Sequence, residues 1–215
     1  MTIEVRPEEP ADAVAVQQVI AAAFPAADGT PTGTAVEVGL NDALRRHPAW
    51  IPRLSLVAVR DGRVVGQLTS SYGTLTDPAG GRRPVPGIGP VAVAPAEQGT
   101  GVGTALLTAV IERARRSGEP ALVLLGDPVF YGRFGFRPAA AAGITPPDPA
   151  WGEHFQALVL TDGPSPAGAF RYAAPFDDLS RPAGPAGAGR WPTRPAGAPA
   201  PDGVAGSAGA GGSGD

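Results

Sequence analysis

The sequence predicts a mixed α/β fold built on a mostly antiparallel central sheet, and four stretches carry that reading. Asp61-Gly62 joins two alternating apolar runs, residues 54–60 and 63–71, and a two-residue Asp-Gly link between such runs marks a β-hairpin. Val91, Ala92 and Val93 read as a strand that Pro95 stops, because proline has no N–H to give a ladder. The glycine-rich stretch Gln98-Gly99-Thr100-Gly101-Val102-Gly103 then opens a helix whose Val102, Leu106, Leu107, Val110, Ile111 and Ala114 recur at helical spacing. Finally, Ala121–Leu125 (ALVLL) is a continuous apolar run of the kind that forms a strand buried on both faces.

Taken in order, residues 2–6 alternate as a short strand closed by Pro7 and Pro10. Residues 11–24 carry Val16, Val19, Ile20, Ala23 and Phe24 at helical spacing, with Asp12 near the N-terminus where the helix dipole favours an acid. Residues 25–34 read as a loop. A second helix, 35–47, has Val36, Leu40, Ala43 and Leu44 on one face, Arg45, Arg46 and His47 in its last turn, and Pro48 as its stop. After the hairpin, residues 73–84 read as a polar loop and 86–93 as a strand. Gly126-Asp127-Pro128 turns the chain into a short helix over 129–134, and two further strands are expected at 155–161 and 169–173. From about residue 181 the chain is almost wholly Gly, Ala, Pro and Ser, too poor in apolar surface to offset the entropy of ordering. The expected organisation is therefore one domain over residues 1–180 and a disordered tail over 181–215, in which Trp191 is the one large apolar side chain.

Composition narrows the chemistry. The 17 basic residues are all arginine and the 20 acidic ones leave a net charge of −3, so no strong field favours nucleic acid or an anionic membrane. Cysteine is absent, which excludes disulfides, thiolate nucleophiles and Cys-metal sites, and two histidines, His47 and His154, are too few for a zinc cluster. The start, MTIEVRPEEP, has no signal-peptide pattern and no apolar run reaches membrane-spanning length, so a cytoplasmic protein is expected. His154 has no Ser/Asp partner at motif spacing, so a hydrolase triad is not supported.

The glycine turn is an anion cradle by construction. Glycines admit close backbone approach, and the first N–H groups of a helix have no internal partner. A P-loop needs a lysine, and the chain has none. A dinucleotide fingerprint needs a small residue three beyond its second glycine; counting from Gly99 reaches Thr104 and from Gly101 reaches Leu106.

The arrangement Val91-Ala92-Val93-x-Pro95-x-x-Gln98-x-x-Gly101-x-Gly103-x-x-Leu106 resembles the signature of the GNAT superfamily of acetyl-CoA-dependent N-acetyltransferases. The later segment Phe130-Tyr131-x-x-Phe134-Gly135-Phe136 is similar to that family's second hallmark. With Leu125-Gly126-Asp127-Pro128 it resembles a poorly characterised bacterial branch of predicted acetyltransferases. The resemblance implies a sheet of about seven strands, splayed at its central strands and flanked by four helices. It implies acetyl-CoA as co-substrate, with its pyrophosphate on Gln98, Gly99, Thr100, Gly101, Val102, Gly103 and Thr104, and its pantetheine arm and acetyl carbonyl on the backbone of Val91, Ala92 and Val93. Tyr131 falls where many members place a general acid for the departing thiolate, and a phenol is protonated at neutral pH.

The sequence departs from the family at the base. The strand leading into the turn, residues 85–91, has no ionisable residue. Asp127, Glu37 and a water chain stand as candidates, with capping of the short helix as the other reading of Asp127. Arg133, Arg82 and Arg83 are candidates for a coenzyme phosphate or are solvated charges. The implied activity is acetyl transfer to a primary amine of a small molecule or peptide, by a monomer or homodimer with no nucleic-acid or membrane partner. Two other readings are a non-catalytic acyl-CoA sensor or scaffold on the same fold, and a dehydrogenase using the glycine turn.

Overall fold

The computed structural model describes residues 2–24, 36–163 and 165–180. The loop expected over 25–34 and the tail expected from 181 with Trp191 lie outside the described residues. Nine strands, β1 (Glu4–Pro7), β2 (Leu56–Arg60), β3 (Arg63–Thr76), β4 (Arg82–Val93), β5 (Ala121–Leu125), β6 (Arg137–Pro138), β7 (Ile144–Thr145), β8 (Phe155–Val159) and β9 (Gly168–Arg171), share one sheet. Its main path runs β1-β2-β3-β4-β5-β8-β6, and β9 lies against both β3 and β7. The expected sheet is present, with β6 and β7 as two-residue additions that no sequence period announces.

Four α-helices are described: α1 (Ala13–Ala23), α2 (Val36–Arg46), α3 (Val102–Arg116) and the short α4 (Pro128–Tyr131). The apolar stripe of α3 is fully buried and meets Leu56, Ala58, Leu68, Ile88, Val91 and Val93 on one face of the sheet. Its end is closed by Gly118 at φ 71°, with Glu119 N donating to Ala114 O and Gly118 N to Arg115 O, the paired bonds of a Schellman cap. On the other face, Val16, Val19, Ile20 and Ala23 of α1 pack on Val57 and Ala92. β5 shows why an unbroken apolar run was needed. Leu122 and Leu124 join the α3 side, while Ala121, Val123 and Leu125 join the opposite cluster with Phe155 and Phe170.

The expected loop over 73–84 is corrected. β3 continues to Thr76 and β4 begins at Arg82, so the turn is only Asp77–Gly81, where Asp77 Oδ1 accepts from Ala79 N and Gly81 N at 2.9 Å each. Pro84 and Pro86 fit in β4 because they are two apart, with both nitrogens on one side. On that side β5 pairs only at Gly87 and Ile88.

That short pairing positions the site. β4 and β5 run parallel and meet only as Gly87↔Val123 and Ile88↔Leu124. On its β3 side, β4 carries a bulge in which Gly89 and the cis-linked Pro90 lie opposite the single residue Thr69. Beyond it, Val91, Ala92 and Val93 stay paired with β3 but have left β5.

Candidate active site

The first part of the site is backbone. Ala94 N donates to Val65 O at 2.9 Å, and the alternation of an antiparallel ladder then turns the polar groups of Ala92 to β3 and those of Val91 and Val93 outward, into the gap beside β5. An independent contact agrees: the Gln98 side-chain amide donates to the outward Val93 carbonyl at 3.3 Å. Ala92 thus belongs to the β3 ladder and to the α1 core, while its two neighbours present the open edge.

The edge leads directly into the glycine turn. Gly99 and Gly101 have φ of 76° and 91°, conformations that disfavour any residue with a Cβ, and a Cβ at either would meet nothing within 4 Å. Gly101 caps α3 with no side-chain hydrogen bond, and the first bond of this helix is Ala105 N to Gly101 O at 2.9 Å. The amides of Val102, Gly103 and Thr104 therefore have no acceptor within the helix. Gly103 differs from the other two. Its φ is helical, and a Cβ there would rest 3.5 Å from Phe130 Cζ, an ordinary contact. Glu97 anchors the approach to this turn by pairing with Arg60 of β2.

Tyr131 is held on the far side of the gap. Its ring lies on Gly126 at the end of β5, where a Cβ would run into it. Edge-on contacts with Phe130 at 5.0 Å and Phe136 at 5.9 Å fix the ring further. Burial first, and the neighbouring Asp127 charge second, push the phenol well above its ordinary value, so it keeps its proton at neutral pH. Asp127 caps α4, its Oδ1 accepting from Val129 N at 2.8 Å. The Arg133 guanidinium stacks over Phe130, 4.7 Å from the ring centre, and the Cζ tip of that ring lies by Gly103. Arg133 therefore stands near the start of α3. Arg82 and Arg83 do not: they open β4 at the end remote from the turn, Arg82 opposite Thr76 and Arg83 beside Asp77 at 3.8 Å.

The third part is made of side chains that the sequence reading did not single out. Gln67, Thr69 and Ser71 alternate on β3, all buried, on the face that also carries Gly87. Gln67 Nε2 donates to Pro90 O at 3.1 Å, Thr69 bonds Gln67 Oε1 at 3.1 Å, and Thr69 also contacts Asn41 of α2. Tyr172 covers Gly87, where a Cβ would stand 2.8 Å from its Cε1. Glu37 lies one turn before Asn41 on α2, half-buried, and burial raises its carboxyl above the usual range. A signal for this group did exist: polar residues recur at every second position of β3, and an asparagine interrupts the apolar face of α2. Among the described residues no cluster of three His, Asp or Glu side chains is arranged to hold a metal, and no helix is long and apolar enough to cross a membrane.

Known proteins resemble this chain. Residues 4–139 match the family model described as an acetyltransferase (GNAT) domain, well over half of the chain. The chain is 33% identical over 126 residues to an uncharacterized N-acetyltransferase, YjhQ, of Escherichia coli K12, covering 57% of this chain and 67% of that protein. It is similar to a GNAT family acetyltransferase from Brucella melitensis crystallised in complex with acetyl-CoA, with 35% identity, 82% of this chain and 99% of that one covered, and a TM-score of 0.63. It is also similar to the E. coli GNAT family protein YhbS crystallised with CoA, at 28% identity over 81% of this chain and 92% of the other, TM-score 0.69. A strand edge left open by its parallel neighbour, the uncapped helix it runs into, and a family match spanning both lead to one assignment: the chain belongs to the GNAT acetyltransferase family.

Proposed function

We propose that this protein moves the acetyl group of acetyl-CoA to a primary amine of a small molecule or peptide by direct attack, as a cytoplasmic enzyme whose domain spans residues 1–180. The observation that carries the reading is the open strand edge at Val91 and Val93 followed, through the glycine turn, by the uncapped amides of Val102, Gly103 and Thr104. A diphosphate suits the positive helix end, with Gln98, Gly99, Thr100 and Gly101 forming the turn around it. An extended pantetheine arm suits an unpaired strand edge, as a strand would. Relatives crystallised with acetyl-CoA and CoA support the same ligand here.

In the reaction, the amine nitrogen attacks the thioester carbonyl carbon and a C–N bond forms. The outward Val91 N–H is the donor we assign to the resulting oxyanion. Glu37, directly or through water, accepts the proton the nitrogen sheds; a carboxyl raised by burial is better matched to that task than an ordinary one. Collapse breaks the C–S bond, and the thiolate takes its proton from the Tyr131 hydroxyl. Tyrosinate and protonated Glu37 then return to their resting states by exchange with solvent.

Tyr131→Phe tests the reading. Thiol release from acetyl-CoA with an amine should fall at least about tenfold, with acetyl-CoA still raising the melting temperature as in wild type. A wild type that binds acetyl-CoA but releases no thiol with any amine would instead make this an acyl-CoA sensor.

A further inference from the structure

The buried amide of Asn41 is only half satisfied where it lies beside the gap. Asn41 is 1% exposed, and its Nδ2 has no hydrogen-bond partner among the described residues. Its Oδ1 faces the Thr69 hydroxyl, which also faces Gln67 Oε1. A hydroxyl has one proton and cannot serve both oxygens. Turning the Asn41 amide over removes the conflict. Nδ2 then donates to Thr69, Thr69 donates to Gln67 Oε1, and Gln67 Nε2 keeps its bond to Pro90 O. The orphan becomes Asn41 Oδ1, a bare acceptor. In either orientation one end of the amide has no partner.

A second orphan lies on the same sheet face. Ser71 Oγ is buried without a hydrogen-bond partner among the described residues, on the residue paired with Gly87. Thr69, which Asn41 touches, sits opposite the Gly89–Pro90 bulge, and Gly87 is one of the two residues where β4 still holds β5. Both orphans thus flank the point where the sheet parts. A buried polar group without a partner is destabilising, and such groups are retained where a ligand completes them. The polar groups along this lane, Asn41, Gln67, Thr69, Ser71 and the phenol of Tyr172, are all uncharged, and Arg45, one turn beyond Asn41 on α2, is already paired with Glu8 and Asp42.

We propose that Asn41, assisted by Ser71, binds the acceptor through a neutral hydrogen-bond donor lying a few bonds from the reacting nitrogen. The acceptor class is then an amine bearing a hydroxyl or carboxamide, rather than a free amino acid, whose carboxylate finds no unpaired cation among these residues. This rests on the acetyl-transfer reading for the identity of the gap.

The probes are four amines of one frame: phenylethylamine, 2-amino-1-phenylethanol, phenylalaninamide and phenylalanine. They are measured by thiol release from acetyl-CoA and, independently of turnover, by calorimetric binding to CoA-loaded protein. For wild type, the alcohol and the amide should exceed phenylethylamine and phenylalanine by on the order of tenfold in kcat/KM and in affinity. Asn41→Leu should erase that preference, the alcohol and the amide each falling by on the order of tenfold relative to phenylethylamine measured on the same variant. The acetyl-CoA-induced rise in melting temperature should be unchanged. Ser71→Ala should reduce the preference in part. The proposal is overturned if Asn41→Leu keeps the preference, if wild type favours phenylalanine or phenylethylamine, or if neither polar amine binds. Binding in the expected order without thiol release would sink the transfer reading and leave this one standing.

Discussion

The two sides of the gap are built from different materials. On the β4 side, recognition is offered by main-chain groups: the outward edge at Val91 and Val93 and the open amides at the start of α3. On the α2 side it is offered by side chains drawn from separate elements, Asn41 and Glu37 from α2, Gln67, Thr69 and Ser71 from β3, and Tyr172 just after β9. Backbone recognition depends on local conformation, so a few glycines and a proline specify it. Side-chain recognition depends on which elements the fold brings together, and it can be altered without disturbing the turn.

The sharpest way to break that contrast is through Tyr131, the side chain proposed as the acid for the departing thiolate. Gly126→Ala should displace the ring that lies on it and lower kcat by about 10- to 100-fold, approaching Tyr131→Phe, with acetyl-CoA binding kept. Steady-state kinetics beside thermal shift decides this.

Next come the turn glycines. Gly99→Ala and Gly101→Ala each force a Cβ into positive φ at about 1–2 kcal/mol, and should weaken acetyl-CoA binding by roughly that amount in calorimetry. Gly103→Ala should do the reverse to stability. Its φ is helical and its neighbours admit a methyl, so the protein should gain up to about 1 kcal/mol, while a methyl at the proposed phosphate site should weaken acetyl-CoA binding. A more stable variant with weaker acetyl-CoA binding places the phosphate on this residue; unchanged binding removes it from there.

The pH profile addresses the side-chain half. The Glu37 carboxyl is raised, so kcat/KM should increase with pH through a value above the ordinary carboxyl range as the base form appears. Glu37→Gln should abolish that limb; a limb that persists assigns the proton to another acceptor.

The smallest effect lies outside both halves. Asp12 accepts from Arg6 at 2.6 and 2.9 Å, and that contact is the main reason its carboxyl is held below the ordinary value. A lowered carboxyl contributes stability that is present above its unfolded value and lost as pH falls through the folded one. Asp12→Asn should therefore cost about 1 kcal/mol at pH 7, with the difference from wild type shrinking below roughly pH 4. Urea melts at the two pH values check it.

This contrast also explains what was legible in the sequence. α3, β5 and the hairpin at Asp61-Gly62 follow from period and turn chemistry, because each is decided within a dozen residues. The end of β3 and the start of β4 were hidden by Gly73 and Pro84, which read as loop until the fold shows that Pro84 faces the side where β5 pairs only at Gly87 and Ile88. Gly73 has its own tertiary reason, since a Cβ there would collide with Phe170 from a strand nearly a hundred residues later. Asn41 and Thr69 meet across 28 positions, a distance over which no local pattern speaks.

One consequence of the sheet geometry concerns stiffness. Because β4 and β5 meet at only two residue pairs, the sheet is two panels joined at a narrow seam. A ligand lying in the gap as a surrogate strand would weld that seam along its length. Amide deuterium exchange should then slow most at Val91 and Val93 and at the last residues of β5 when acetyl-CoA is added, with the hairpin of β2 and β3 exchanging as before. The co-substrate would in that sense be the strand the chain itself does not supply.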